Sequence, residues 1–101
     1  MTEVWGFEWD ADKAHSNAIN HGVTFEEAAS VFDDPYARQY DDPDHSTDQE
    51  DRFILVGAGW SLRVLVVVHC ERPLTGNIRI ISARKAVKSE RYDYDRRKDH
   101  A

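Results

Sequence analysis

Alternating and helical patterns of apolar side chains occupy the first third of the chain. Residues 7–10 alternate apolar and polar positions and predict an edge strand. Asp10 suits the N-cap of a helix over residues 11–20, and Gly22 suits the left-handed residue that ends it. The inward side chains of this helix are expected to be Ala11, Ala14, His15 and Ala18.

A second helix is predicted immediately after the first. Thr24 and Glu27 have the spacing of a capping box, in which each side chain bonds the backbone N–H of the other residue. The helix over residues 25–32 ends where Asp34 precedes Pro35. Two helices joined by a turn resemble a DNA-reading motif in shape. The second helix is acidic, however, and we exclude DNA reading by these helices because phosphates would be repelled.

The remaining two thirds of the chain are rich in strands. Strands are predicted over residues 36–40, 52–57, 63–71 and 78–85, followed by a helix over residues 86–94. Short loops favour antiparallel pairing, with the helices segregated against the sheet. Residues 1–101 are therefore expected to form one α+β domain, with two N-terminal helices and a C-terminal helix packed on a four- to five-stranded, mainly antiparallel sheet.

The last two predicted strands are expected to form a hairpin that gathers charged side chains. A loop over residues 73–76 suits Pro73, which cannot donate a hydrogen bond to a neighbouring strand. This register pairs Arg72 with Asn77, His69 with Ile80, Val67 with Ser82 and Leu65 with Arg84. One face would then carry His69, Glu71, Ser82 and Arg84, whereas a slip of one residue would bring Arg79 and Lys85 to that face instead.

Composition and charge add limits to this picture. The single cysteine, Cys70, excludes an internal disulfide framework, and its apolar surroundings favour a small buried side chain. No apolar stretch is long enough to cross a bilayer, and the N-terminus lacks the basic start of a signal peptide. We expect a cytoplasmic protein without membrane contact.

The charge is unevenly distributed along the chain. Residues 1–51 contain fourteen acidic and two basic residues, giving −12, and residues 52–101 contain five acidic and eleven basic residues, giving +6. The predicted strand over residues 78–85 itself carries Arg79, Arg84 and Lys85. This asymmetry indicates an anion-binding face, although ordinary surface charge of both signs explains composition alone equally well.

Residues 41–48 form an acidic loop that also contains His45. Carboxylates and an imidazole are possible metal ligands, but the loop has no recognised ligand spacing. An ordinary surface loop is the better interpretation, and we predict no metal ion and no cofactor.

Several segments, in this order along nearly the whole chain, resemble one family. They are Phe7-Glu8-Trp9-Asp10, Asn20-His21-Gly22-Val23-Thr24-Phe25-Glu26-Glu27-Ala28, Val31-Phe32-Asp33-Asp34-Pro35, Asp42-Pro43-Asp44-His45-Ser46, Val67-Val68-His69-Cys70-Glu71-Arg72 and Ile78-Arg79-Ile80-Ile81-Ser82-Ala83-Arg84-Lys85-Ala86. Together they resemble the BrnT toxins of bacterial type II toxin–antitoxin systems, which are related in fold to the RelE ribonuclease toxins. The resemblance implies RNA cleavage and inhibition of translation.

The resemblance also favours catalytic roles for the charged side chains of the hairpin. In metal-independent cleavage the 2′-OH attacks the adjacent phosphorus, with a base, an acid and cations assisting. Glu71 is predicted as the base and His69 as the acid, with the roles open to exchange, and Arg84 as the phosphate clamp. RNA contacts are predicted for Arg72, Arg79, Lys85 and Lys88. The alternative is structural: His69 caps the sheet edge, and Glu71 pairs with Arg72 or Arg84.

The expected partners follow from the same resemblance. They are RNA as substrate and a BrnA-like ribbon–helix–helix antitoxin, with two toxins and two antitoxins in a heterotetramer and operator DNA bound only through the antitoxin. Charge asymmetry leaves two modes of antitoxin binding: a basic segment on the acidic N-terminal half, or an acidic segment on the cationic face. A non-catalytic interaction module that binds a small DNA-binding partner is the alternative function.

Overall fold

A twisted sheet with helices on both faces forms the framework. The computed structural model describes residues 2–4 and 6–100. Its strands are β1 Thr2–Val4, β2 Phe7–Trp9, β3 Arg38–Asp41, β4 Arg52–Ala58, β5 Val64–Glu71 and β6 Ile78–Lys85. Its helices are α1 Ala11–His21, α2 Phe25–Ser30, which a 3-10 turn Val31–Asp33 extends, and α3 Lys88–Asp99.

The strands follow the spatial order β1-β2-β6-β5-β4-β3. All neighbouring pairs are antiparallel except β2 with β6, which run parallel. The predicted α+β class, with three helices on a mainly antiparallel sheet, is confirmed. All five predicted strands are present, and β1 is an additional one. The prediction that residues 7–10 form an edge strand is wrong, because β1 covers the outer side of β2.

The sheet separates two apolar clusters. On the α1–α2 face, Leu65 and Val67 of β5 pack with residues of β2, β6 and the first two helices, including Trp9, Phe25, Ala28, Val31 and Ile80. On the α3 face, Tyr94 of α3 packs with Val56, Val64, Val66 and Ala86. Alternation along β5 explains the separation, because successive side chains point to opposite faces.

Helix α1 is held to the sheet by a polar residue. Asn17 is only 6% exposed, whereas Ala11 and His15, which the sequence predicts to face inward, are exposed. The Asn17 Nδ2 atom donates to the carbonyls of Val23 (2.9 Å) and Ala83 (2.8 Å), and Asn17 Oδ1 accepts from the Ala83 N–H at 3.1 Å. The short strand β2 pairs only with Ile78 and Arg79 at the beginning of β6. Among the strands described, none neighbours the backbone of β6 at Ala83 on that side, and the Asn17 amide supplies its hydrogen bonds instead.

The predicted capping box at the start of α2 is only half present. Thr24 Oγ1 accepts from the Glu27 N–H at 3.1 Å, as expected. The Glu27 carboxylate does not reach back to Thr24 but accepts from Arg63 Nη2 at 2.7 Å and Nε at 3.0 Å, and from the Ser61 hydroxyl. The Arg63 guanidinium holds the pKa of Glu27 below its usual range despite burial. A charge pair therefore joins α2 to the loop between β4 and β5.

Candidate functional site

The β5–β6 hairpin combines two registers. The Arg72 N–H donates to the Asn77 carbonyl at 2.8 Å, and His69 lies opposite Ile80, as predicted. Beyond this point Val67 pairs with Ala83 instead of Ser82, and Leu65 pairs with Lys85 instead of Arg84. The cause is a β-bulge: Ile81 has no partner on β5, so every later residue of β6 is displaced by one position.

The bulge divides the face that the sequence predicts to carry the catalytic groups. His69 contacts Phe32 on the α1–α2 face, and alternation places Glu71 on the same side. Arg84 lies opposite Val66 and therefore on the α3 face, together with Ser82. The prediction that His69, Glu71, Ser82 and Arg84 share one face is wrong, because one extra residue reverses the alternation.

His69 lies inside the protein. It is 1% exposed, and its ring meets Phe32 edge-on at a centroid distance of 4.8 Å, with Phe53 at 5.9 Å. Nδ1 lies 3.3 Å from the Val67 carbonyl oxygen, and Nε2 lies 3.1 Å from the side-chain oxygen of Gln39. Burial lowers the pKa of His69, and the Val67 carbonyl and the charge of Glu71 only partly oppose this effect.

The neutral ring fits these surroundings. The Val67 carbonyl can only accept, so Nδ1 carries the proton, and Nε2 then accepts from the NH₂ group of Gln39 after a half-turn of its amide. A proton donor to RNA must reach the leaving oxygen, and Gln39 stands between Nε2 and solvent. The geometry therefore favours a structural role for His69, and its predicted role as the acid stays a prediction.

Acidification is expected to destabilise the protein through His69. Above pH 6.5 the imidazole is neutral in the folded and unfolded chains. Below pH 6.5 the unfolded chain binds a proton that the folded chain takes up only at lower pH, so the free energy of unfolding falls as the pH decreases. This one group changes the free energy of unfolding by at most about 1.4 kcal/mol per pH unit. Urea unfolding between pH 7.5 and 5 measures it, and His69→Gln should have a flatter profile; parallel profiles would contradict the assignment.

Arg84 is engaged in a bidentate ion pair. Its Nη1 and Nη2 atoms donate to the Glu90 carboxylate of α3 at 2.8 and 3.0 Å. Glu90 also accepts from the Val87 N–H at 2.8 Å, and the Arg84 guanidinium lowers the pKa of Glu90. Lys85 and Lys88 are exposed beside this junction of β6 and α3. A phosphate bound by Arg84 would have to displace or share Glu90.

Three arginines gather at the opposite end of the α3 face. Cys70 of β5 lies between Arg52 of β4 and Arg79 of β6. Arg72 comes two residues after Cys70, so it points to the same face of the sheet. Glu50 lies among them: its Oε1 accepts from Arg52 Nε at 3.0 Å, and its Oε2 is 3.9 Å from Arg72 Nη1. We call Arg52, Arg72, Arg79 and Glu50 the arginine cluster.

The arginines of the cluster act together on Glu50. The Arg52 hydrogen bond lowers the pKa of Glu50 most, and the charges of Arg72 and Arg79 lower it further. Three guanidinium groups against one carboxylate leave an excess of positive charge, and all three arginines remain partly exposed. Arg52 lies four residues before Val56, about 13 Å along β4 from the Tyr94 contact of α3. Phosphate can therefore approach this end of the sheet.

The structure brings together some predicted residues and adds others. Arg72 and Arg79 meet in the arginine cluster, whereas Glu71 lies across the sheet, and Arg84, Lys85 and Lys88 lie near α3. Sequence reasoning missed Arg52 and Glu50. Arg52 stands at the start of a predicted strand, and this was the one feature that could have indicated it. Its position beside Cys70, however, depends on the register between β4 and β5.

Other predicted features are resolved by burial and spacing. Cys70 is fully buried, as predicted, and burial raises the pKa of its thiol.

In the acidic loop, His45 Nδ1 lies 3.0 Å from the Asp42 carboxylate. Within residues 2–4 and 6–100, no three His, Cys, Asp or Glu side chains are placed to hold a metal ion. None of the helices described is long and apolar enough to span a membrane.

A solved structure has the same fold as this chain. The crystal structure of the Brucella abortus ribonuclease toxin BrnT superposes with a TM-score of 0.59 at 21% sequence identity, covering 79% of this chain and 94% of the Brucella chain. The sequence profile of the family described as "Ribonuclease toxin, BrnT, of type II toxin-antitoxin system" matches residues 9–90. The chain therefore belongs to the BrnT family. No curated protein matches its sequence.

Family membership confirms the sequence-based resemblance. The chain is a toxin of the type II toxin–antitoxin class, and its family is one of ribonucleases. The structural match supports the fold alone, because identity is low.

Proposed function

We propose that this chain is a metal-independent endoribonuclease that cuts RNA at the arginine cluster and thereby inhibits translation in the cytoplasm. The observation that carries this proposal is the convergence of Arg52, Arg72 and Arg79 on the accessible end of the α3 face in a BrnT-family chain. Guanidinium groups pair with two phosphate oxygens at once, so such a cluster suits a phosphodiester.

The chemistry requires charge stabilisation and a base. As the 2′-OH attacks, negative charge grows on the phosphoryl oxygens, and nearby cations stabilise it more strongly than they stabilise the ground state. The carboxylate among the arginines is Glu50, and its lowered pKa keeps it ionised at neutral pH. Displaced from Arg52 by an incoming phosphate, Glu50 can accept the proton of the 2′-OH. The leaving 5′-oxygen takes its proton from an acid or from water.

The other residues predicted from the sequence have different roles in this proposal. Glu71 stays the alternative base, because it lies at the end of β5 next to Arg72, although it points to the other face. Arg84 is proposed as a phosphate contact at the far end of the α3 face, with Lys88 of α3 beside it. Lys85 stays a predicted RNA contact, although it lies opposite Leu65 and so points to the α1–α2 face. His69 would support the fold of the site through its contacts with Gln39 and Phe32.

The proposed partners follow from membership in the family. A type II toxin is paired with an antitoxin. We propose a BrnA-like ribbon–helix–helix antitoxin, two copies of which bind two toxins and provide all contacts with operator DNA. The acidic α2 region is unsuited to DNA, which supports leaving DNA contacts to the antitoxin.

Incubation of the purified, antitoxin-free protein with RNA tests the proposed activity. Cleavage is expected with and without a chelator, and a substrate with one 2′-deoxynucleotide at the cut position should resist cleavage there because it lacks the nucleophile. Loss of cleavage on chelation would contradict the metal-independent mechanism. Intact RNA in every condition, with harmless expression in cells, would favour the non-catalytic interaction module.

A further inference from the structure

A groove on the opposite face of the sheet from the arginine cluster has the character of a protein-docking site. Its volume is about 420 Å³, and it lies along α2, between β2 and the loop that joins β4 to β5. The lining residues are Phe7, Trp9, Glu26, Ala29, Ser30, Asp33 and Trp60. We call this the Trp60 groove. Its walls are aromatic and aliphatic, and its charged residues, Glu26 and Asp33, are both acidic.

Trp60 is held in an exposed position. Trp60 is 64% exposed. Its backbone N–H nevertheless donates to Ser30 Oγ at 3.0 Å, and Ser30 Oγ in turn donates to the Glu27 carbonyl of α2 at 2.6 Å. Gly59 permits this approach, because a Cβ there would lie 2.5 Å from Ser30 Oγ. The loop is thus anchored to α2 while the large ring stays in solvent.

Further apolar surface adjoins the Trp60 groove. Leu62 is 82% exposed and has a positive φ of 67°, which is unusual for a leucine. Tyr36, also exposed, lines a neighbouring cavity together with Trp60 and Leu62. Exposed aromatic and aliphatic residues that cluster beside a groove mark interaction sites more often than isolated ones do.

We propose that the Trp60 groove binds a basic amphipathic segment of the antitoxin, with an apolar side chain in the groove and Lys or Arg side chains opposite Glu26 and Asp33. The charge of the rim selects this occupant, because carboxylates attract a cationic segment and repel the phosphates of RNA. This inference rests on the proposed antitoxin partnership. Of the two binding modes that the charge asymmetry leaves open, it selects the basic segment.

The location has a functional consequence. The groove lies against α2 and β2 on the α1–α2 side, and Trp60, which also borders Tyr94 and Lys98 of α3, follows the end of β4 opposite to Arg52 of the arginine cluster. A segment in the Trp60 groove anchors the antitoxin without entering the proposed cleavage site. Substitutions in the groove should therefore separate antitoxin binding from RNA cleavage.

Binding measurements with the antitoxin encoded beside this chain test the proposal. Trp60→Ala is expected to raise the dissociation constant by about 30-fold or more, as for a central aromatic contact. The double variant Glu26→Lys/Asp33→Lys is expected to raise it at least about tenfold and to reduce its dependence on salt. RNA cleavage by the free Trp60→Ala protein should equal that of the wild type.

Matched controls make the outcome specific. Tyr92→Ala removes an aromatic ring that is 63% exposed on α3, and Asp44→Lys/Asp48→Lys makes the same change of charge in another loop; both should leave binding unchanged. Unchanged binding in both groove variants would overturn the proposal, as would an equal loss in the controls or no antitoxin binding by the wild type.

Other occupants give different results. If Trp60→Ala slows RNA cleavage by the free toxin, the groove belongs to the substrate and the proposal is overturned. If it converts a wild-type dimer of free toxin into a monomer, the occupant is a second copy and the proposal is also overturned. Weakened antitoxin binding in a protein that cleaves no RNA would instead refute the proposed activity and leave the docking site standing.

Discussion

Arg79→Ala is expected to slow RNA cleavage by about 10²–10³-fold while the protein stays folded. Arg79 lies beside Cys70 on the α3 face, and its charge acts on Glu50, so it is central to the arginine cluster. Removing one positioned group that stabilises charge in a transition state typically costs this much. Arg79→Lys should recover only part of the rate, because an ammonium group lacks the planar fork of a guanidinium. Single-turnover cleavage of a short RNA measures the effect.

The matched control is Arg96→Ala, which removes an exposed arginine from α3 far along the chain from the cluster. Its cleavage rate should stay within a few-fold of wild type. Equal losses in Arg79→Ala and Arg96→Ala would show a general effect of charge on RNA binding. An unimpaired Arg79→Ala protein would exclude the arginine cluster as the cleavage site.

The two carboxylates near the cluster can be separated in the same assay. Glu50→Gln keeps the shape of the side chain but removes the base, and it is expected to lose about 10²-fold or more in cleavage rate. Glu71→Gln should have a smaller effect, because Glu71 points to the α1–α2 face. The reverse ranking would restore Glu71 as the base. Circular dichroism of both proteins checks that the fold is retained.

Asn17→Ala is expected to lower the free energy of unfolding by about 3 kcal/mol. The side chain is buried and makes three hydrogen bonds with the backbone, to Val23 and to both polar groups of Ala83. Alanine would leave these groups without partners in the interior, at about 1–3 kcal/mol for each group that water cannot reach. Urea unfolding at pH 7 measures the change.

Asn20→Ala is the control for this effect. Asn20 lies one turn further along α1 and is exposed, so its replacement should change stability by less than about 0.5 kcal/mol. If Asn17→Ala is equally mild, water reaches the Ala83 backbone and the side chain does not anchor α1. Asn17→Asp separates the two functions of the amide, because it keeps the acceptor and loses both donors.

Local patterns predicted the elements of this fold well. The Asp10 N-cap bonds the N–H groups of Asp12 and Lys13, and Gly22 adopts the left-handed conformation that ends α1. Such features depend on neighbours along the chain, so they can be read without a structure. The inner side of α1 was predicted only in part: Ala14 and Ala18 are half-buried as expected, but apolar spacing could not indicate Asn17, whose amide the unpaired backbone of β6 requires.

The candidate site was less predictable, because its composition depends on pairing between strands. The predicted loop was right, and so was the register from Arg72 to His69. Nothing in the run Ile78-Arg79-Ile80-Ile81 marks Ile81 as the residue that would be left unpaired. Since a single extra residue exchanges the two faces, a small local error relocated Arg84 to the other side of the sheet.

The amino-acid sequence alone determined the class of fold, the order along the chain of every strand and helix after β1, the cationic C-terminal half and the family to which the chain belongs. These properties follow from composition, from local periodicity and from short motifs, each made of residues that are close together in the chain. Only the tertiary structure decided that Glu50 and Arg52 join Arg72 and Arg79, that His69 is enclosed, and that Trp60 stands over an acidic groove. Those neighbours are distant in sequence, and the bulge, strand register and close approach at Gly59 bring them together.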